Sequence, residues 1–72
     1  MPTEQSIFTT NYRGYDYSLT FVQHPDGITV EVDIDVDRYP TRQESGLHGD
    51  YETARRKGSA FAKRLIDQLF SG

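Results

Sequence analysis

Cysteine and tryptophan are absent from this 72-residue chain, and methionine occurs once. The absence of cysteine excludes disulfide bonds and thiolate metal sites. No segment approaches the roughly 18 consecutive apolar residues of a membrane-spanning helix. Residues 1–6 lack the basic and apolar regions of a secretory signal. The composition therefore predicts a cytoplasmic protein that does not engage a membrane, and nothing in it indicates a cofactor.

The short chain limits the size of the hydrophobic core. A domain of this length buries only about 60% of the surface that its unfolded chain exposes. Five tyrosines and four phenylalanines partly compensate, because each aromatic ring buries a large area. We expect one domain over residues 1–72, ordered over residues 6–70 and frayed at residues 1–5 and 71–72. A small core without disulfide bonds or thiolate metal sites predicts modest stability, or stabilisation by an oligomer.

Charge is distributed unevenly along the chain. Residues 1–50 carry three bases and nine acids, a net charge of −6, whereas residues 51–72 carry five bases and two acids, a net charge of +3. The whole chain has a formal net charge of −3. This asymmetry bears on partners and on self-association, and not on the fold.

Three segments have the pattern of β-strands. Residues 6–12 are rich in β-branched and aromatic types, and residues 15–22 alternate between apolar and polar side chains. Residues 13–14 between them end in glycine, which suits a tight hairpin. Residues 24–27, His-Pro-Asp-Gly, form a strong turn signal because proline presets φ and glycine tolerates a positive φ. Three strands joined by such short links form an antiparallel meander.

The third strand, over residues 28–37, has the clearest alternation in the chain. Period two places five aliphatic side chains on one face and four carboxylates on the other. The aliphatic positions are Ile28, Val30, Val32, Ile34 and Val36, and the acidic positions are Glu31, Asp33, Asp35 and Asp37. We expect the aliphatic face to form the core and the acidic face to stay open to water.

A single helix is predicted at the C-terminal end, after a polar loop over residues 41–49. Asp50 is a suitable N-cap, and apolar residues fall on one arc at helical spacing over residues 51–70. Gly58 lies in this arc and costs a helix about 1 kcal/mol relative to alanine, so it predicts a close approach to the sheet. The predicted fold is α+β, a three-stranded antiparallel β-meander with one C-terminal α-helix packed on one face (β-β-β-α).

The four carboxylates of the third strand lie about 7 Å apart along one face. Like charges at this spacing repel one another, so they require solvent or a counter-charge. Three interpretations stay open: a solvated outer face, a surface that recognises a basic partner, and a cation site. Residues 33–37 lack the glycine and the terminal glutamate of a calcium loop, and we predict no metal site.

Five basic residues lie on the predicted helix: Arg55, Arg56, Lys57, Lys63 and Arg64. Four of them flank the apolar arc, two on each side, where they either solubilise a core helix or form a patch for an anionic partner. Arg55 falls inside the arc instead. It therefore reaches past the edge of the sheet to water or to a partner, or it pairs with a carboxylate such as Asp50.

Catalytic chemistry has little support in the sequence. A nucleophile, a base and an orienting group must converge in an active site. The two histidines, His24 and His48, fall in predicted loops, where we expect them to be exposed. No GxSxG, HExxH, P-loop or Rossmann motif is present. We therefore predict that the protein is not an enzyme and has no catalytic residues.

The order of features from Asp26-Gly27 to Ala54 resembles the N-terminal domain of HicB-like antitoxins. That family has an Asp-Gly hairpin, an outer strand and a Gly-Asp entry into a helix, which residues 49–54, Gly-Asp-Tyr-Glu-Thr-Ala, match. Residues 37–40, Asp-Arg-Tyr-Pro, depart from the family's proline-glycine stretch, and its DNA-binding segment has no counterpart here. The resemblance implies a fold related to double-stranded-RNA-binding domains (dsRBD-like) and binding to a toxin. The chain is also similar to short bacterial proteins without an assigned role.

Charge segregation and the lack of a catalytic pattern together predict a small interaction module. It binds another protein or self-associates, because a meander leaves unpaired edge strands and its two halves have complementary charges. The alternatives are a nucleic-acid-binding domain that uses the basic helix and an antitoxin-like domain. Carboxylates on the sheet would face phosphates, which disfavours the sheet as a nucleic-acid surface. The candidate binding residues are the four acids and five bases named above.

Overall fold

The computed structural model describes residues 5–70, so the predicted frayed residues 1–4 and 71–72 lie outside the described part. Gln5, also predicted as frayed, is the first residue of a strand. The elements are, in chain order, β1 (Gln5–Tyr12), β2 (Tyr15–His24), β3 (Gly27–Ile34), β4 (Arg42–His48) and α1 (Tyr51–Phe70). The predicted α+β class, with an antiparallel sheet and one C-terminal helix, is confirmed.

The prediction of three strands is wrong, because residues 42–48 form β4 where a polar loop was expected. The sheet order is β1-β2-β3-β4, and each strand is antiparallel to the next. The pairs Ile28 with His48 and Val30 with Glu44 leave three residues of β4 opposite one residue of β3, which is a β-bulge. β4 provides hydrogen-bond partners along the outer side of β3, whose side chains are the most buried of the sheet. This pairing outweighs the weak strand propensity of the segment.

The third strand ends at Ile34, three residues before the predicted end. The N–H of Val36 donates to the carbonyl of Ile34 at 2.7 Å, which closes a γ-turn around Asp35. The N–H of Tyr39 then donates to the carbonyl of Val36 at 3.0 Å, and this second turn holds Arg38 at a φ of 63°. The chain therefore turns toward β4 just after Ile34.

The hairpin between β1 and β2 has the predicted two-residue turn. Tyr12 pairs with Tyr15, and the turn residues Arg13 and Gly14 have φ values of 55° and 86°. Two successive positive φ values are typical of a type I′ turn, whose twist matches that of the flanking strands. The β1–β2 register continues without a shift from Tyr12 to Gln5.

The helix α1 packs across β2, β3 and β4 and covers one face of the sheet. The buried side chains come from β2, β3 and the helix, and they are Tyr17, Leu19, Phe21, Ile28, Val30, Val32, Ile34, Ala54, Ala62, Leu65 and Ile66. The close approach predicted at Gly58 is confirmed, since a Cβ placed there would lie 2.8 Å from Cγ1 of Val30. β1 projects beyond the helix, so Phe8 and Tyr12 are only partly buried.

The helix begins where the capping pattern predicted. The carboxylate of Asp50 accepts the N–H of Thr53 at 2.7 Å, and this bond is the main reason that the pKa of Asp50 lies below its usual value. Arg56 lowers that pKa further through its charge. Within residues 5–70, no helix has the length and hydrophobicity needed to cross a bilayer.

Candidate interaction surfaces

The predicted row of four carboxylates is shorter in the structure than in the sequence. Glu31 and Asp33 lie on β3 and point to the face of the sheet that the helix leaves open. Asp35 and Asp37 lie beyond the end of the strand, in the turns toward β4. The hydroxyl of Thr41 donates a hydrogen bond to Asp33. The strand therefore carries two of the four acids, and the turns carry the others.

A neighbouring strand adds an acid that the sequence pattern did not single out. Asp16 of β2 lies beside Asp33 and Asp35 around a shallow hollow on the open face. The carbonyl of Asp16 accepts the N–H of Asp35 at 2.9 Å, and its carboxylate accepts the side-chain amide of Asn11 at 2.9 Å. The signal for Asp16 in the sequence was the two-residue alternation of its strand, which places it on the face away from the core. Within residues 5–70, no three His, Asp or Glu side chains are close enough to hold a metal ion.

The five basic residues of α1 are all exposed, and they lie in the layer opposite the acidic face. Arg55 and Lys63 point toward β1, where the guanidinium lies 5.8 Å from the Phe8 ring and the ammonium 5.5 Å from the Tyr12 ring. Arg55 thus reaches past the helix over the projecting strand. The contact with the Phe8 ring explains why Arg55 lies inside the apolar arc of the helix. An ion pair with Asp50 was the alternative prediction.

The other flank of the helix forms a groove with β4. Lys57 and Arg64 line it together with Phe61, Glu44 and other residues of β4. The structure therefore does not bring the nine candidate residues together. Glu31 and Asp33 lie on the open face, Asp35 and Asp37 lie in the turns, and the bases lie on two flanks of the helix on the other side of the sheet.

His48 is not exposed in a loop as predicted, but buried at the end of β4 with 9% of its surface exposed. Its Nε2 lies 2.5 Å from Oε1 of Glu44, and Oε2 of the same carboxylate accepts the N–H of Gly46 at 3.0 Å. One partly buried carboxylate thus satisfies two groups of the bulged strand. The sequence signal was the four-residue spacing of Glu44 and His48.

A cluster of polar and aromatic contacts ties the β1–β2 hairpin to the end of α1. Arg13 donates to Asp67 at 2.8 Å and lies 4.0 Å above the ring of Phe70. The hydroxyl of Tyr12 donates to the same carboxylate at 3.1 Å. The bond from Arg13 is the main reason that the pKa of Asp67 is lowered, and the bond to Asp67 is the main reason that the pKa of Tyr12 is raised. These contacts offset the strain of the positive φ at Arg13.

The outer edge of β1 is the most unusual surface of the described chain. The strand reads Gln-Ser-Ile-Phe-Thr-Thr-Asn-Tyr, so it contains no charged residue and no proline, and its pairing with β2 has no bulge. Ile7 is 68% exposed. Among residues 5–70, no strand pairs with this edge. Proteins normally protect edge strands with charges, proline, bulges or a cover, and the part of the chain that the structure describes gives the outer edge of β1 none of these devices.

The opposite edge of the sheet is protected. β4 carries Arg42 and Glu44 and contains the bulge, which interrupts the regular row of backbone groups. Its exposed apolar residue, Leu47, is 52% exposed. The two edges therefore differ in the features that govern strand addition.

Comparisons with known proteins do not add a relative. No family model matches the chain, and neither a curated protein nor a solved structure matches it significantly. The resemblance to HicB-like antitoxins therefore stays a prediction.

Proposed function

We propose that the protein is a non-enzymatic interaction module that binds by strand addition at the outer edge of β1 and that it self-associates through this edge. The proposal rests on the unprotected state of β1: eight residues, a regular register, no charge and an exposed Ile7. Alternate residues of such a strand direct their N–H and C=O groups away from the sheet, where a partner strand can pair with them. Strand addition is a recurrent mode of protein recognition.

The experiment is sedimentation velocity over a range of protein concentrations, with Ile7→Lys and Leu47→Lys as matched variants. Both changes place a charge at an exposed aliphatic residue, one on each edge strand. We expect the wild type and Leu47→Lys to associate as concentration rises, and Ile7→Lys to stay monomeric because its charge opposes pairing. A wild type that is monomeric throughout, or an Ile7→Lys variant that associates equally well, would contradict self-association through β1.

A second candidate function is nucleic-acid binding by α1. The observation that favours it is the separation of charge in space, because the five bases lie on the side of the molecule that faces away from the acidic row. A helix-led contact would therefore keep the carboxylates away from phosphates. Titration with random duplex and single-stranded DNA tests this: binding should appear at about 50 mM salt and fall steeply as salt is added. The absence of binding at low salt would eliminate this candidate.

A further inference from the structure

We infer that the strand which occupies the β1 edge is β1 of a second copy, related by a two-fold axis, and that the pair forms one continuous eight-stranded sheet. This inference rests on the proposed function and specifies the partner and its geometry. Pairing of β1 with itself brings no like charges into register, because the strand has no charge. Its residues are β-branched, aromatic or small polar, which suits cross-strand pairs.

Symmetry restricts the register to a small set. Directly opposed residues of antiparallel strands share a face of the sheet. A two-fold axis perpendicular to the sheet must therefore pass beside a residue that pairs with its own copy. The two registers that keep most of β1 paired place Phe8 opposite Phe8 or Thr9 opposite Thr9 of the second copy. In both registers the two helices lie on the same side of the joined sheet.

The helices leave room for this arrangement, because α1 packs mainly against β2, β3 and β4 and reaches β1 with side chains such as Arg55 and Asp67. If each helix is centred over β3, five strand spacings of about 4.8 Å separate the two axes by about 24 Å. A helix is about 10 Å wide with its side chains, so a trough of about 14 Å stays open over the joined β1 strands. The two-fold pair therefore forms without a clash between helices.

Positively charged side chains of the two helices flank the trough. Arg55 and Lys63 point toward β1, so those of the two copies face each other across it. Two further charged residues on this side, Arg13 and Asp67, form an ion pair. The facing cations repel one another, and added salt screens that repulsion. The β1 pair should therefore tighten with salt, whereas association of an acidic sheet face with a basic helix would weaken.

The area that strand pairing buries is small, so we expect a transient dimer with a Kd in the range of about 1 to 100 μM. Sedimentation of the wild type at about 20 mM and 300 mM KCl should show tighter association at the higher salt, by about two- to tenfold. The double variant Arg55→Gln, Lys63→Gln should reduce this salt effect. Association that weakens with salt would overturn the inference and would indicate pairing between the oppositely charged faces.

The register has its own test, because the natural chain contains no cysteine to interfere. We expect Thr9→Cys or Phe8→Cys to form a disulfide-linked dimer under mild oxidation, since one of these positions lies opposite its own copy. Thr29→Cys, on the open face of β3 away from the edge, is the control and should not form a disulfide-linked dimer. If the protein dimerises and Ile7→Lys prevents it, but neither β1 cysteine crosslinks, two-fold pairing is overturned while strand addition at β1 stands. A monomeric wild type overturns both.

Discussion

The substitution Gly58→Ala should destabilise the protein even though it improves helix propensity. Alanine in place of glycine gains about 1 kcal/mol in a helix interior. The new methyl group would lie 2.8 Å from Cγ1 of Val30 and 3.3 Å from Cδ1 of Leu19, and both of these side chains are fully buried. Overpacking of this kind costs about 1–3 kcal/mol, and a buried valine has little freedom to move away. We expect a net loss of about 1 kcal/mol, measured by urea denaturation followed by circular dichroism.

Two further variants test whether steric overlap with Val30 causes the expected destabilisation by Gly58→Ala. Ala60→Gly, at an exposed position of the same helix, should lose about 1 kcal/mol and so measures propensity alone. Val30→Ala removes the methyl group that the new Cβ would meet, so the double variant with Gly58→Ala should be more stable than the sum of the two single effects. The coupling should be about 1 kcal/mol. A Gly58→Ala protein more stable than the wild type, or additive effects in the double variant, would show that the helix does not approach the sheet as described.

Three other substitutions test separate features. Arg38→Gly should stabilise the protein by about 1 kcal/mol in urea denaturation, because Arg38 has a φ of 63°, where residues with a side chain are strained. Asp67→Asn should weaken the pH dependence of the urea midpoint in both the acidic and the alkaline range. The lowered pKa of Asp67 stabilises the fold above about pH 4 and loses this effect as the pH falls, and the raised pKa of Tyr12 stabilises it up to about pH 10 and loses this effect as the pH rises further. An Asp67→Asn protein with an unchanged profile would contradict this assignment. Glu44→Ala should cost about 1–3 kcal/mol, because it removes the partly buried acceptor of His48 and of a backbone N–H. A loss below about 0.5 kcal/mol would show that this carboxylate is not needed.

The elements with a regular spacing of apolar residues were predictable from the sequence, and β4 was not. The helix was located from its N-cap and its apolar arc, and its bounds are those predicted, Tyr51–Phe70. β4 contains one large apolar residue, Leu47, and its bulge disrupts the two-residue alternation. Its conformation depends on pairing with β3, which is a long-range interaction that local composition does not encode. The end of β3 was missed for a related reason, since alternation continues to Asp37 while the backbone turns at Asp35.

The candidate surfaces were predictable in charge and less so in position. The sequence separates the acids of the strands from the bases of the helix, and the structure places Glu31 and Asp33 on the opposite side of the sheet from those bases. It did not distinguish one edge strand from the other, because the protection of an edge depends on register and bulges. The burial of His48 was also missed, because its partner Glu44 lies on a strand that the sequence did not reveal.

The position of α1 after all four strands has a consequence for synthesis. The strands leave the ribosome before the helix that shields Leu19 and Val32 from water. A sheet with one apolar face must bury that face against another element. We therefore expect folding to be completed only when the last twenty residues of the described chain, which form α1, are available to cover the sheet. A chain that ends within α1 would expose the apolar face of the sheet beside the unpaired edge of β1. We expect such a chain to aggregate rather than persist as a partly folded intermediate.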